Sequence, residues 1–396
     1  MRYRPGRTLK RPRPMTFQAF RFDPVELPPA AKTLRQEVRA FLDENRASLG
    51  NRRDYDQAFS RKMAERGWIG MTWPKQYGGH ERTAFERYVL IEELLAAGAP
   101  VGFHWTADRQ SGPNIIRYGT DEQKDYFLPR ITRGDLSFCI GMSEPDSGSD
   151  LAGTRTRAVK VDGGFRINGS KLWTSNAHRA DYMILFCKMA EAGQEEVDRH
   201  AGATQFLVDL KNSPGIEIRP VINLLGEHHF NQIFLTDLFV PDNRLFGEIG
   251  NGWRQVSSEL AFERSGPDRF LVLFKLLVEM VRVAGPNPDR ATAAALGRLV
   301  AQLATLRRMS LSIAGMLQEG LQPLTEAAVT KDLGTRYEQD LPIIARQLFP
   351  AEPELEAVDT YVSMLARGTM NAPRLSIQGG TREILRGIIA RGLGLR

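Results

Sequence analysis

Two stretches hold the side chains best suited to chemistry. The first is Ser143-Glu144-Pro145-Asp146-Ser147-Gly148-Ser149-Asp150, and the second, a little further on, is Lys171-Leu172-Trp173-Thr174-Ser175-Asn176. Hydroxyls on a glycine-containing turn can reach ring carbonyls and nitrogens, and an indole can cover an aromatic face. Between them Val159 and Val161 alternate with polar residues, Asp162-Gly163-Gly164 turns the chain, and Phe165 and Ile167 lead back to Asn168-Gly169. This pattern predicts a β-hairpin able to hold both stretches against one planar ligand. Taken singly, the stretches read equally well as part of such a cradle or as a plain surface turn and a core tryptophan.

A third segment, Gln378-Gly379-Gly380-Thr381-Arg382-Glu383-Ile384-Leu385-Arg386-Gly387, combines with these two. Together they resemble the acyl-CoA dehydrogenase family. The resemblance continues through Trp73-Pro74-Lys75-Gln76-Tyr77-Gly78-Gly79, Gly119-Thr120-Asp121-Glu122-Gln123-Lys124, Val240-Pro241 and Gly250-Asn251-Gly252-Trp253, in the family's order, so it covers nearly the whole chain after residue 28. It implies an α+β multidomain fold with an N-terminal helical domain, a central β-barrel domain and a C-terminal four-helix bundle. It also implies FAD as cofactor, an acyl-CoA thioester as substrate, a trans-2-enoyl-CoA as product and an electron-transfer flavoprotein as partner. By position, Met142, Ser143, Gly148, Ser149, Trp173, Thr174 and Ser175 would contact the flavin. Ser149 would also lie beside CoA, and Ser175 aligns with the family's threonine that hydrogen-bonds flavin N5. Thr381 and Glu383 lie where the family contacts the adenylate half of the cofactor, while Arg264 and Gly380 lie at the substrate end. Read from the residues alone, Thr381 is a helix N-cap and Glu383 a first-turn acid favoured by the helix dipole.

Removing hydrogens from adjacent carbons of a thioester needs a base for the α-proton, donors on the thioester oxygen and an acceptor for the β-hydride. Many family members carry the base as a glutamate just before the Gly-Thr of the last segment, where this chain has Gly379. Others, isovaleryl-CoA dehydrogenase among them, place it before an arginine on the first long helix of the C-terminal domain. Glu263-Arg264 in Leu260-Ala261-Phe262-Glu263-Arg264-Ser265-Gly266-Pro267 matches that location. Glu263 is therefore the expected base, with a surface ion pair as its plainer alternative. Gly379, lacking a side chain, leaves room for that carboxylate and can offer its backbone N–H to the thioester oxygen. Phe262, Phe270 and His104 are candidate pocket linings.

These groups must be positioned by a framework visible in the periodicity. From Pro28 apolar residues fall at helical spacing, as in Leu34, Val38, Phe41 and Leu42. From Cys139 short runs at Tyr182 to Phe186, Phe206 to Leu210, Ile216 to Val221 and Ile233 to Val240 predict strands. Helices return from Gly252, with Leu296, Leu299, Val300, Leu303, Leu306 and Ile313 as a bundle stripe and Phe270 to Val283 as an apolar helix; Ala284-Gly285-Pro286-Asn287-Pro288 reads as a break. The expected divisions are a basic tail and lead-in over 1–27, a helical domain over 28–138, a β-domain over 139–250 and a helical bundle over 251–396.

Composition narrows the alternatives. The formal charge of +6 equals the six cations Arg2, Arg4, Arg7, Lys10, Arg11 and Arg13, which leaves a neutral body and argues against nucleic acid. No uncharged stretch is long enough to span a bilayer, and Cys139 and Cys187 sit in apolar runs, so a reducing, cytoplasmic setting is expected. The histidines show no metal spacing; His228-His229, the one adjacent pair, reads as solvated loop or strand edge. Neither a Gly-x-Gly-x-x-Gly turn nor a phosphate-loop sequence is present. The chain departs from the family in lacking Arg-x-Phe-Gly between 280 and 292 and the Gln-x-x-Gly-Gly-x-Gly run between Ala351 and Ser376, both of which serve the adenosine side of FAD, often across subunits. A homo-oligomer, dimer or homotetramer, is expected. The alternatives are a half-site or non-catalytic subunit of a hetero-oligomer, or a flavin monooxygenase on the same fold.

Overall fold

The computed structural model describes residues 20–50, 54–189, 199–264 and 266–395, except for the side chains of 258–263. The basic tail before Met15 lies outside the described residues. Among the described residues five α-helices come first: α1 (Pro29–Glu44), α2 (Gln57–Glu65), α3 (Ala84–Ala97), α4 (Gly112–Tyr118) and α5 (Asp121–Thr132). Leu34, Val38, Phe41 and Leu42 of α1 are all buried, as their spacing predicts. The Gly119-Thr120-Asp121-Glu122-Gln123 stretch is a helix start: Thr120 and Gln123 form a reciprocal capping box on α5. The Gln123 amide then donates to the carbonyls of Asn243 and Leu245 at 2.9 and 2.8 Å, tying the helices to the sheet.

Eight strands follow: β1 (Phe138–Gly141), β2 (Arg157–Val161), β3 (Gly164–Lys171), β4 (Tyr182–Met189), β5 (Ala203–Asp209), β6 (Ile216–Ile222), β7 (His228–Pro241) and β8 (Leu245–Phe246). The sheet order is β6-β7-β3-β2-β4-β5-β8, with β1 parallel to β4. The predicted hairpin is β2–β3, turned at Asp162-Gly163 with Val161 opposite Gly164 and Gly163 at φ 70°. Its inward residues are Ala158, Phe165 and Ile167, while Val159 is exposed, so the apolar alternation of β2 runs along its outer face. Cys139 and Cys187 are buried, unbridged thiols; burial pushes that of Cys187 up to about 12.

The C-terminal part comprises α6 (Gly252–Glu263), α7 (Phe274–Ala284), α8 (Arg290–Gln318), α9 (Leu324–Leu348), α10 (Thr360–Leu375) and α11 (Arg382–Gly392). Helices α7 to α10 pack as a bundle, and α11 lies along α9. Leu296, Leu299, Leu306 and Ile313 are buried in it, whereas Val300 faces out. The helix expected from Phe270 starts instead at Phe274, and a Glu338 carboxylate oxygen accepts from the amides of Val272 and Leu273 just before it. The 284–288 break separates α7 from α8 as expected.

An ion pair from the N-terminal helices supports the segment that follows α6. Arg109, on a π-helical stretch Ala107–Ser111, lies 3.0 Å from Asp268, and both are buried. Its guanidinium also stacks 4.2 Å from the Trp105 ring centroid. Removing one partner leaves a buried charge uncompensated. Arg109→Met is expected to cost on the order of 3 kcal/mol, the low end of the usual range, because Arg269 remains 3.2 Å from Asp268. Urea unfolding measures the loss, and an unchanged midpoint would contradict it.

Candidate active site

Lys171 ends β3 with its side chain fully buried, on the same face as Phe165 and Ile167. Its ammonium donates to the Met142 carbonyl at 3.0 Å and to Glu144 at 2.8 Å. The Glu144 carboxylate further accepts from Thr154 Oγ1, Arg155 N, Thr156 N and Thr156 Oγ1 at 2.6 to 3.0 Å. Burial alone would raise its pKa, but the Lys171 charge and these hydrogen bonds outweigh it and hold the carboxyl at about 2. Burial pulls the Lys171 ammonium down, with Glu144 opposing.

This network brings the first two sequence stretches together. Leu172 N donates to Ser143 O at 2.8 Å, and Glu144 and Ser147 exchange backbone hydrogen bonds across a tight turn. Above it, Met142 and Ser143 are half-buried and Gly148 and Ser149 exposed. Trp173 is 55% exposed and held at φ 62°, a conformation costly for a large side chain unless its surroundings impose it. Thr174 is buried, and its hydroxyl has no hydrogen-bond partner among the described residues. An indole presented to solvent beside hydroxyls, an unpartnered Thr174 Oγ1 and open space at Gly148 suit a flat, heteroatom-rich ring.

The third stretch forms the N-terminus of α11. Thr381 caps it, accepting from Ile384 N, and Glu383 is an exposed first-turn acid, its pKa lowered by the backbone and by Thr381. Gly379 and Gly380 precede it at φ 72° and 102°, both left-handed. Two cations grip their carbonyls. Arg264 Nε donates to Gly379 O at 2.9 Å, and the buried Lys331 of α9 donates to Gly380 O at 2.8 Å. A Cβ on Gly380 would sit 3.1 Å from the Arg264 guanidinium. Peptide planarity then directs the N–H groups of Gly380 and Thr381 away from those cations.

The structure thus joins Met142 and Ser143 to the Trp173 stretch, and Arg264 to Gly379 and Gly380. Glu263 is the last residue of α6, adjoining Arg264, but its side chain and that of Phe262 lie outside the described residues. Phe270 and His104 are packed in the interior, His104 bonded to Ser60 at 2.9 Å and driven to a pKa of about 4 by burial, against the pull of Asp108. Glu144, Lys171 and Lys331 were not singled out from sequence. For Lys171 a signal existed, because a lysine in phase with Phe165 and Ile167 must find a buried partner.

The chain is thus built helix–sheet–helix, with an exposed indole beside its sheet and a doubly clamped Gly-Gly turn before its last helix. Profiles described as acyl-CoA dehydrogenase N-terminal, middle and C-terminal domains match residues 28–135, 139–238 and 250–394. The chain belongs to the acyl-CoA dehydrogenase family, and its cofactor is FAD. It is 34% identical over 372 residues to acyl-CoA dehydrogenase FadE34 of Mycobacterium tuberculosis, covering 91% of this chain and 48% of that protein. To acyl-CoA dehydrogenase IpdE1 of the same organism it is 32% identical, over 91% of this chain and 97% of that one. It therefore spans about half the length of FadE34 and nearly all of IpdE1. Among solved structures, the Tcur3481-Tcur3483 steroid ACAD superposes with TM-score 0.81 at 29% identity, over 94% of this chain and 100% of that one. The ChsE4-ChsE5 complex from Mycobacterium tuberculosis gives the same TM-score and identity over 94% and 99%. No described helix is long and apolar enough to cross a membrane, and no described cluster could hold a metal.

The Glu144–Lys171 pair makes a pH prediction. A carboxyl lowered from its ordinary value to about 2 stabilises the fold fully above the ordinary carboxyl range and loses that contribution as pH falls towards 2. The contribution is roughly 3 kcal/mol at neutral pH. Glu144→Gln should flatten the acid limb of the stability–pH curve and, by orphaning Lys171, lower stability at pH 7 by about 3–5 kcal/mol. Urea unfolding at pH 7 and pH 4 tests both parts.

Proposed function

We propose that this chain catalyses α,β-dehydrogenation of a bulky acyl-CoA thioester to the trans-2-enoyl-CoA, with Glu263 as base. The observation that carries the reading is the pairing of Arg264 with Gly379: it holds the end of α6 against the turn where a glutamate is missing. A carboxylate at 263 can then serve where residue 379 offers none. Bound FAD supplies the acceptor for the β-hydride. Glu263 removes the α-proton, and the Gly379 backbone N–H donates to the thioester oxygen as charge develops there. Arg264 and Lys331 hold that turn through its carbonyls, so little reorganisation is required when the charge forms. Met142, Ser143, Gly148, Ser149, Trp173, Thr174 and Ser175 hold the isoalloxazine, with Thr381 and Glu383 towards the adenylate. Ser149, Gly380 and Arg264 line the substrate side. Electrons pass on to an electron-transfer flavoprotein. A steroid-derived acyl group is the favoured substrate class, supported by the likeness to a protein titled steroid ACAD.

A second reading has its own support. The region 280–292 is the α7–α8 connection and lacks the family's arginine motif, and the approach to the last segment is α10 without a glycine run. Both absences fall on the adenosine side of the cofactor. The chain then contributes one half of a hetero-oligomeric assembly, as the paired names of the Tcur3481-Tcur3483 and ChsE4-ChsE5 proteins suggest by analogy.

Anaerobic substrate addition should bleach the flavin absorbance of the wild-type protein. Glu263→Gln should slow bleaching by ~10² to 10⁴, the usual contribution of a general base. Bleaching at the wild-type rate would refute the assignment. Counting flavin per protomer in the chain purified alone separates the readings: near-full occupancy supports a self-sufficient homo-oligomer, and little flavin supports the half-site subunit.

A further inference from the structure

The start of β7 holds a polar cluster that the proposed reaction does not use. Asn231 is fully buried and makes three hydrogen bonds to Thr174: its backbone N–H and C=O pair with those of Thr174 at 3.1 Å, and its side-chain amide donates to Thr174 O at 2.9 Å. Its Oδ1 faces the opposite way and lies 3.1 Å from His178 Nδ1 and 2.8 Å from His228 Nε2. Because the amide nitrogen is committed to a carbonyl, Oδ1 must accept from both rings. That assigns the protons: His178 carries its own on Nδ1, and His228 on Nε2. The two imidazoles stack with centroids 3.7 Å apart and planes at 17°, so His228, the first residue of β7, is half-buried against a ring rather than fully solvated.

This arrangement suits neutral rings. His178 Nε2 is buried without a hydrogen-bond partner among the described residues, so a proton added there meets no acceptor. A second charge on the stacked ring would repel the first. The charged neighbours are mixed. Arg179 adjoins the pair and also disfavours an imidazolium, Glu227 precedes His228 and lies 3.7 Å from Arg367 of α10, and Asp54 lies within electrostatic reach of Arg179, Glu227 and Arg367. His229 is next along β7, and its carbonyl accepts from Asn176 N at 2.9 Å. Burial, then His228, then Arg179 lower the pKa of His178.

The segment that this cluster grips is unusual. Trp173 and Asn176 both have left-handed backbones, at φ 62° and 57°, and such conformations persist only where the surroundings over-determine them. Asn231 holds Thr174 between them, and the His229 carbonyl holds Asn176.

We propose that His178, Asn231 and His228 are positioning residues for the cofactor: the neutral stacked imidazoles orient the Asn231 amide, which keeps Trp173, Thr174 and Ser175 in the conformation that receives the flavin. This rests on the flavin reading of that loop given above. The packed loop favours a neutral His178, whose buried Nε2 has no acceptor among the described residues. It therefore keeps its full stability above the ordinary imidazole range, near ~6.5, and loses stability as pH falls below that range.

The test is FAD affinity of the purified full chain, read from the rise in free-flavin fluorescence on release, between pH 8 and pH 5.5. In the wild type the dissociation constant should rise by about tenfold or more, as expected for a histidine-linked equilibrium. In His228→Gln the side-chain amide can still donate from the place of Nε2 but does not titrate. In His178→Asn the amide replaces the Nδ1 donor in the same way. Either variant should bind within about threefold of the wild type at pH 8, because the donor to Oδ1 is kept, and His178→Asn should flatten the pH response. Asn231→Leu should bind weakly at both pH values. A wild-type affinity unchanged between pH 8 and pH 5.5, or an undiminished pH response in His178→Asn, would overturn the proposal. Absence of FAD binding by the wild type at pH 8 would instead count against the self-sufficient flavoprotein reading given above.

Discussion

One buried ion pair underlies the region that joins the Ser143 turn to the Trp173 stretch. Glu144 and Lys171 come from a turn and a strand end well separated in sequence, and both charges are removed from water. Such a pair is tolerated only when its remaining lone pairs and protons are satisfied. Here they are, by Thr154, Thr156, the Arg155 amide and the Met142 carbonyl. The need to satisfy them draws the Ser143 turn, the lead into β2 and the end of β3 to one point. Trp173 can then be held facing solvent in a left-handed conformation, because the residues before it are fixed by charge and those after it by Asn231.

The C-terminal turn follows the same logic with different groups. Gly379 and Gly380 adopt left-handed backbone angles that favour glycine, and Arg264, just after α6, and Lys331 of α9 reach their carbonyls from two different parts of the chain. Arg269, Asp268 and Arg109 form a third buried charge cluster beneath the segment leaving α6. Across these sites, ionised side chains inside the protein act mainly as fasteners for irregular backbone. Irregular backbone is where polar groups without regular partners accumulate, and charged hydrogen bonds are the strong way to satisfy them.

Much of this was readable from residue order. Helical spacing in α1, the two-residue turn of β2–β3 and the Thr381 cap depend on neighbours within a few positions, so their side chains alone specify them. The strand runs at Tyr182, Phe206, Ile216 and Ile233 all appear as β4 to β7. Failures arose where a distant group intervened. Glu338, 66 residues from Val272, accepts from the amides that precede the later start of α7, and His228 is half-buried against the His178 ring.

Local pattern therefore specified the elements, the family and the glycine at position 379 of the last segment, because each is written in consecutive residues. Chain packing specified which charges are buried and what they hold. Lys171, Lys331 and Asn231 look like ordinary polar residues until a partner from elsewhere in the chain closes over them. Desolvation, the term that turns an ordinary ion pair or amide into a structural constraint, exists only once that enclosure has formed.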